Sequence, residues 1–283
     1  MALSDKARKN TRKSISFMFL FVLCLFWIIP IFFLIILSLK TTGDYASNPY
    51  YSLPHEFGFF ENLKYLWVKT NLARPYINSI LYSIVSSSAA IFISSLAAYG
   101  IAKLKIKGAF TIFIILWTGM IFPIQIFMIP LLKAYLIIHL YNTQIGMILI
   151  YTALLIPFCV FVFRNYFLTL PDDYQEYAKI DGCNNFQIYW RILMPNSFGP
   201  IAVLLIFQGS WVWNDLIIGM VLSKSFSVRP VMHALALLQG KYSGTNVPAV
   251  MTGNLIASLP MIILFIALQR YFLQGLSLQV AGE

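Results

Sequence analysis

The sequence predicts an all-α integral membrane protein with six transmembrane helices and one long polar loop between the fourth and the fifth. Hydrophobic side chains make up 59% of the 283 residues and charged ones only 11%, with a mean hydropathy of +0.77. That composition is too apolar for a soluble domain of this length. The apolar residues are gathered in long runs without the alternating pattern of barrel strands, so each run is predicted to be a helix.

Six apolar runs are each long enough to cross about 30 Å of hydrocarbon, which takes roughly 20 helical residues. They comprise residues 15–39, 76–102, 109–132, 143–163, 198–222 and 247–269. The first run is longer than the apolar region of a signal peptide and has no clear small-residue cleavage site after it. It is therefore predicted to be retained as a span.

The runs divide the chain into a basic segment at residues 1–14, a membrane domain at residues 15–273 and a tail at residues 274–283. Segment 40–74, which follows the first run, is too short to fold as a separate solute-capturing domain. The polar loop occupies about residues 164–197.

The basic residues predict the orientation of the chain, because those close to a span stay on the cytoplasmic side. Of the 20 lysines and arginines, more lie in residues 1–14, in the loop 103–107, in the polar loop and at Arg270 after the last run than on the opposite side. Both termini and the polar loop are therefore predicted to be cytoplasmic. The net charge of +10 indicates anionic lipid head groups of the bilayer rather than nucleic acid, because these residues flank spans instead of forming a stripe.

The second run carries small residues at a four-residue spacing, which lets helix backbones approach closely. These are Ser86, Ala90, Ser94 and Ala98. Packing against a neighbouring helix is the favoured interpretation. The alternative is that serines of the same run line a polar pathway, with Ser79, Ser83 and Ser87 as candidates.

The polar loop contains two predicted helices separated by a sharp turn. Pro171 and the acidic pair that follows it suit a helix start, and Gly182 suits the left-handed residue past a helix end, which predicts a helix over about 172–181. A second helix over about 184–191 is rich in aromatic residues. Two readings of these aromatic residues are open: they dock on a partner, or they lie along the membrane surface as an interfacial helix.

Asp215 is the single formally charged residue within the six runs. A carboxylate inside a membrane is costly, which suggests a role. Two readings are equally open from the residues: Asp215 lies on a polar pathway, or Asn214 and Asp215 cap a helix break and pair with backbone groups.

Motifs of catalysis are absent from the sequence. The pair Gly240-Lys241 is followed by Tyr242 and lacks the earlier glycine of a P-loop, so the chain is not expected to bind ATP that way. No zinc-binding spacing occurs, and the three histidines are scattered. We therefore expect no enzymatic activity, no metal and no cofactor in this chain.

Seven residues spread over both predicted helices of the polar loop form a motif with a characteristic spacing. The residues concerned are Glu176, Tyr177, Ala178, Asp181, Gly182, Ile192 and Pro195. They resemble the E-A-A-x3-G-x9-I-x-L-P signature of importer permeases of the ATP-binding-cassette (ABC) superfamily, with Tyr177 at the position of the usual second alanine. The resemblance implies that the segment from Glu176 to Gly182 is a coupling helix held in a cleft of a separate ATPase. It also implies that Glu176 meets basic residues there and that Ala178 allows close approach.

Further matches extend the resemblance over nearly the whole chain and point to carbohydrate-type permeases, akin to the smaller permease of the maltose importer. They are Phe122-Pro123, Ile129-Pro130-Leu131, Asn142-Thr143, Arg164, Phe167, Trp213-Asn214-Asp215, Gln269-Arg270-Tyr271-Phe272 and Gly275. The end of the chain, residues 278–283, departs from the usual small and basic ending.

This resemblance implies a permease subunit of an ATP-driven, binding-protein-dependent importer in a bacterial cell membrane, forming half of the pathway for a sugar or oligosaccharide. The implied partners are a second homologous permease, a cytoplasmic ATPase dimer that binds ATP and magnesium, and an extracellular or periplasmic solute-binding protein. Candidate pathway residues combine hydrogen-bonding groups with an aromatic face: Gln208, Trp213, Asn214, Asp215 and Asn254.

Other functions remain as alternatives at this stage. Within the transporter class, the cargo could be another polar solute such as a glycerol phosphodiester or a sugar phosphate. A self-sufficient secondary carrier would usually have several ionisable residues in its spans, and this chain has one. A membrane-bound enzyme or scaffold is the remaining rival.

Overall fold

The computed structural model of the chain describes residues 5–104, 106–242 and 246–280, with side chains over 10–104, 106–239 and 246–269. Most of the basic segment 1–14, Lys105, the side chain of Arg270 and the side chains of the tail lie outside the described residues. Within the described ranges the chain is built of helices, and the β pairing is an isolated bridge between Lys40 and Phe57.

The helices follow one another along the chain with short connections. They are α1 (Asp5–Leu39), α2 (Thr42–Ser47), α3 (Phe59–Lys64), α4 (Ala73–Ala102), α5 (Ala109–Thr118), α6 (Met128–Ile137), α7 (Gln144–Thr169), α8 (Asp173–Ile180), α9 (Asn185–Ile188), α10 (Met194–Asn196), α11 (Phe198–Trp213), α12 (Ile217–Leu222), α13 (Val231–Tyr242) and α14 (Val247–Val280). Single π-helical turns cover Tyr65–Lys69 and Tyr189–Leu193, and short 3-10 turns cover Gly119–Ile121 and Ile124–Phe127.

Four of the predicted spans are confirmed as single helices that are long and apolar enough to cross a membrane. They are Asn10–Leu39, Ala73–Ala102, Gln144–Thr169 and Val247–Gln269. Two bent helix pairs pass the same test together, Ala109–Ile121 with Ile124–Ile137 and Asn185–Asn196 with Phe198–Trp213. The described residues therefore contain four candidate spans, or six if each bent pair is one span.

The third predicted span, 109–132, is not one continuous helix. Its two halves meet at 89° around Phe122 and Pro123. Phe122 is extended, with φ −79° and ψ 127°, because the ring of a following proline disfavours the helical conformation of the residue before it. The proline therefore breaks this run into two helices.

The fifth predicted span, 198–222, contains a helix break, as one of the two readings of Asn214 and Asp215 expects. α11 ends at Trp213, and α12 begins at Ile217 after a three-residue break. At its other end, α11 meets the preceding helical segment Asn185–Asn196 at an angle of 71°.

The chain forms two compact units, one of residues 1–70 with 238–256 and the other of residues 71–237 with 257–283. In the first unit, the segment after α1 folds back on the end of that helix. The amide of Asn62 donates to the carbonyl oxygens of Ser38 (3.2 Å) and Lys40 (2.9 Å), and the hydroxyl of Thr252 donates to that of Ser38 (3.0 Å). These bonds place the start of α14 beside the end of α1.

In the second unit, α4 and α7 pack side by side and run in the same direction. The hydroxyl of Ser86 donates to the carbonyl of Ile148 (3.3 Å), and eight residues further on Ser94 donates to Ile156 (3.1 Å). The predicted packing role of the small residues is thus confirmed, since the four of them are completely buried. Two parallel helices require the intervening chain to return along their length, which is what α5 and α6 do.

α11 runs antiparallel to α7. Asp215 bonds with Tyr151 near one end of the pair, and Asn196 bonds with Tyr166 near the other. α14 runs antiparallel to α11 in turn, because Trp213 contacts Ala257 while the earlier residue Ser210 contacts the later Met261. The directions therefore alternate as consecutive membrane crossings require, and the polar loop lies at the end of this unit where α4 and α7 finish.

Candidate functional site

The first helix of the polar loop, α8, ends at Gly182 as the sequence predicts. Gly182 has φ +81°, its N–H donates to the carbonyl of Lys179 (3.0 Å), and the N–H of Cys183 donates to that of Ala178 (2.9 Å). This pair of bonds is the Schellman arrangement, in which a left-handed residue closes a helix and reverses the chain. The turn fixes the angle between α8 and α9.

α8 presents one face to its own chain and the other to the outside. Gln175 and Ala178 are each only 6% exposed, whereas Tyr177 is 66% and Ile180 81% exposed. Glu176 is exposed as well. The small side chain of Ala178 packs against the rest of this chain, and the partner contact that the resemblance implies for it stays a prediction.

The second half of the loop begins with a complete capping box. The side chain of Asn184 accepts from the N–H of Gln187 (2.9 Å), and the side chain of Gln187 accepts from the N–H of Asn184 (2.8 Å). Both bonds satisfy N–H groups that a helix start leaves without partners. α9 and the π-helical turn after it are therefore locally well defined.

The aromatic residues of this half point in two directions. Tyr189 is 1% exposed and belongs to the hydrophobic core of the second unit, whereas Phe186 is 61% and Trp190 46% exposed. Tyr189 therefore packs inside this chain, and the two readings that the sequence leaves open apply to the exposed Phe186 and Trp190. Ile192 is half-buried and Pro195 is exposed at the start of α10.

Asp215 is bound on both sides by its own chain. Its carboxylate accepts from the hydroxyl of Tyr151 (2.9 Å) and from the N–H groups of Ile218 (3.3 Å) and Gly219 (3.0 Å). Those N–H groups belong to the first turn of α12, so Asp215 caps that helix. The geometry favours the capping reading of this residue over the pathway reading.

The other candidate pathway residues differ in accessibility. Trp213 is 1% exposed and its indole N–H donates to the carbonyl of Ala257 (3.0 Å), so neither its ring face nor its donor is open in this conformation. Gln208 is buried beside Cys159. Asn214 is exposed, and its amide donates to the carbonyl of Ser210 (2.8 Å). Asn254 is half-buried in the first unit.

Sequence reasoning missed a polar clamp at the end of the second unit opposite the polar loop. Asn142, which has a φ of +57°, accepts from the N–H groups of Lys224 and Ser225 (2.9 Å each). Asn78 donates to the carbonyl oxygens of Ser227 (3.1 Å) and Arg229 (3.0 Å). An asparagine directly before an apolar run, as Asn142 is, is the signal that could have indicated this clamp, because asparagine tolerates the left-handed region.

Comparison with known proteins finds one family and several transport permeases that are similar to this chain. The family described as "Binding-protein-dependent transport system inner membrane component" matches residues 90–278, which include the whole polar loop. The melibiose/raffinose/stachyose import permease protein MelC of Bacillus subtilis (strain 168) is 31% identical, with 96% of this chain and 97% of that protein covered. The arabinooligosaccharides transport system permease protein AraQ of the same organism is 29% identical, with 92% of each chain covered.

A third relative is the osmoprotective compounds uptake permease protein GgtD of Synechocystis sp. (strain ATCC 27184 / PCC 6803 / Kazusa), 31% identical with 88% of this chain and 86% of that protein covered. Among solved structures, a chain of a bacterial ABC transporter involved in the import of the acidic polysaccharide alginate matches with a TM-score of 0.77 at 21% identity. The match covers 96% of this chain and 99% of that one, which shows a shared fold.

Proposed function

Because the chain belongs to the family of inner membrane components of binding-protein-dependent transport systems, we propose that it forms one half of the translocation pathway of an ATP-driven importer. A second, homologous permease supplies the other half. A cytoplasmic ATPase dimer binds ATP and magnesium, and a solute-binding protein outside the cell or in the periplasm delivers the cargo. In this arrangement the bent pair α5 and α6 is the third of six spans in a bacterial cell membrane, and α11 with α12 is the fifth.

The observation that carries this proposal is the build of the polar loop. α8 is held by its buried face and by the turn at Gly182, and it leaves Tyr177 and Ile180 exposed beside the carboxylate of Glu176. Exposed large apolar and aromatic side chains next to a charge are typical of residues that anchor a protein interface. We assign α8 as the coupling helix that the ATPase grips.

The cytoplasmic placement of the polar loop and of both termini belongs to the same proposal. Lys103, Lys107, Arg164, Lys179 and Arg191 all lie in or next to the end of the second unit that carries the loop. Short loops rich in lysine and arginine stay in the cytoplasm, which supports this orientation.

A neutral sugar or oligosaccharide is the proposed cargo. MelC and AraQ are named for such solutes. Asp215 is the charged residue within the six apolar runs. Its carboxylate oxygens already accept hydrogen bonds from the hydroxyl of Tyr151 and from an N–H group at the start of α12. A phosphorylated cargo calls for a cation in the pathway, and the six apolar runs of the sequence contain no lysine or arginine, so that alternative has less support.

Transport by such a complex requires two arrangements of the helices, one open to each side. The ATPase drives the change only if it binds the two arrangements with different free energy, since equal binding shifts nothing. A secondary carrier would instead need its own coupling ion site, and Asp215 is occupied as a helix cap.

The proposal is tested by uptake into lipid vesicles that contain either the complete importer or this chain alone, with the solute-binding protein and a radiolabelled oligosaccharide outside. We expect uptake by the complete importer only, and only with ATP on the ATPase side. Uptake by this chain alone without ATP would support the secondary carrier and contradict the proposal.

A further inference from the structure

One face of α4 contacts both halves of the polar loop. Ser95, Tyr99 and Lys103 are four residues apart, so they lie above one another on the same side of the helix. We call these three residues the α4 stripe. It spans about 12 Å of the helix at 1.5 Å per residue.

Lys103 joins the end of α7 to the start of α8. Its ammonium group donates to the carbonyl of Leu170 (2.7 Å), the residue that ends α7, and to the carboxylate of Asp172 (2.5 Å), the residue before α8. The Lys103 side chain is 4% exposed, whereas that of Asp172 is 59% exposed. A cation at a helix C-terminus and an anion at a helix N-terminus are each favourable with the helix dipole. One lysine therefore sets the angle at which the polar loop leaves the membrane helices.

The other two residues of the α4 stripe hold the second half of the loop. The hydroxyl groups of Ser95 and Tyr189 share a buried hydrogen bond of 2.7 Å. The rings of Tyr99 and Tyr189 lie 5.8 Å apart. Tyr189 and both of its partners are almost fully buried, so this contact is part of the core.

We propose that the α4 stripe is the contact through which movement of the polar loop is passed to α4, with Lys103 as a positioning residue. This inference rests on the proposed function, and it names the helix that receives the motion. The loop is attached to α4 before α8 and after α9, so displacing α8 carries α4 with it. α4 in turn is fixed along α7 by Ser86 and Ser94, so the two helices move as a pair.

A purely structural role predicts something different. An ion pair with one highly exposed partner contributes little to stability, because water and salt screen it. Replacing Lys103 should therefore leave the chain inserted and assembled while it loosens the angle between α7 and α8. The quantity that separates the two roles is the number of ATP molecules hydrolysed per solute transported.

The experiment compares four forms of the complete importer in lipid vesicles: wild type, Lys103→Met, Lys103→Arg and the control Lys107→Met, whose residue is exposed next to the same helix end. Uptake and ATP hydrolysis are measured together, and assembly is measured by co-purification with the ATPase. We expect Lys103→Met to raise the ATP-to-solute ratio at least threefold, Lys103→Arg to restore it to within twofold of wild type, and Lys107→Met to leave it unchanged.

An unchanged ratio in Lys103→Met, or an equal rise in Lys107→Met, would overturn the inference. If Lys103→Met does not assemble, Tyr189→Phe decides, because it removes only the hydroxyl that bonds Ser95, and an unchanged ratio there overturns the inference too. If the wild type itself shows no uptake that depends on ATP, the proposed function fails. If the wild type couples uptake to ATP hydrolysis and the variants have the same ATP-to-solute ratio, the inference about the α4 stripe fails while the proposed function stands.

Discussion

Gly182 offers a sharp test of whether the shape of the polar loop matters for transport. Its φ of +81° lies in the region that L side chains rarely adopt, and an added Cβ would meet nothing within 4 Å. The cost of a side chain at this position is therefore backbone strain without a steric clash. For an ordinary residue that strain is about 1–2 kcal/mol, and for a β-branched residue the conformation is a genuine outlier.

Such a cost is small for the whole protein and large for the turn. Typical domains are stable by about 5–15 kcal/mol, so a Gly182→Val chain should still insert and assemble. A loss of 1–2 kcal/mol lowers the population of the native turn by a factor of about 5–30. We expect uptake by the complete importer to fall by a similar factor, while ATP hydrolysis falls less because the motor is intact.

Two further variants control this prediction. Gly119 has equally open space but an ordinary φ of −58°, so Gly119→Val should leave uptake near the wild-type rate. Gly182→Asn should retain more uptake than Gly182→Val, because asparagine tolerates the left-handed region. Equal effects at the two glycines, or asparagine as harmful as valine, would refute the argument from backbone strain.

Three other outcomes follow from single contacts. Asp215→Leu should lower stability in detergent by about 1–3 kcal/mol, measured by thermal unfolding, because the start of α12 and the hydroxyl of Tyr151 lose their hydrogen-bond acceptor. Asp215→Asn should lower stability less. A wild-type melting curve for the leucine variant would count against the capping role. Glu176→Arg should leave the chain in the membrane but abolish ATP-dependent uptake, and normal uptake would argue against α8 as the coupling helix. Burial acts to raise the pKa of Asp44, but a hydrogen bond from Asn48 and backbone bonds outweigh it and hold that pKa below its usual value. Its contribution to stability is thus present above the pKa of the unfolded chain and lost as the pH falls through the lower folded value, so Asp44→Asn should flatten the acid side of the stability profile; an unchanged profile would contradict this.

The sequence predicts those features that depend on local residue types. The straight spans follow from the length of the apolar runs, and the turn at Gly182 follows from the conformational freedom of glycine. The packing of Ser94 and its small neighbours follows from their spacing, which lies on one face of a helix.

What sequence reasoning missed or left open depends on contacts between distant residues. The break before α12 contains no proline or glycine, so the residues alone left it as one of two readings, and Asp215 stabilises it together with Tyr151, 64 positions away. The face of α8 that carries Ala178 is set by what the helix packs against, which periodicity alone does not reveal. Lys103 counts in the sequence only as a charge beside a span, because its partners Leu170 and Asp172 lie more than 60 residues further on.

Crosslinking within the complete importer shows whether a separate ATPase holds the exposed face of α8. Single cysteines at Ile180, which is 81% exposed, and at Ala178, which is 6% exposed, share one helix and differ in the face that they occupy. With Cys183 replaced by serine, we expect a crosslink from position 180 to the ATPase subunit and little or none from position 178. No crosslink from position 180 in an importer that transports its solute, or labelling of that position by a membrane-impermeant reagent from outside the cell, would contradict it.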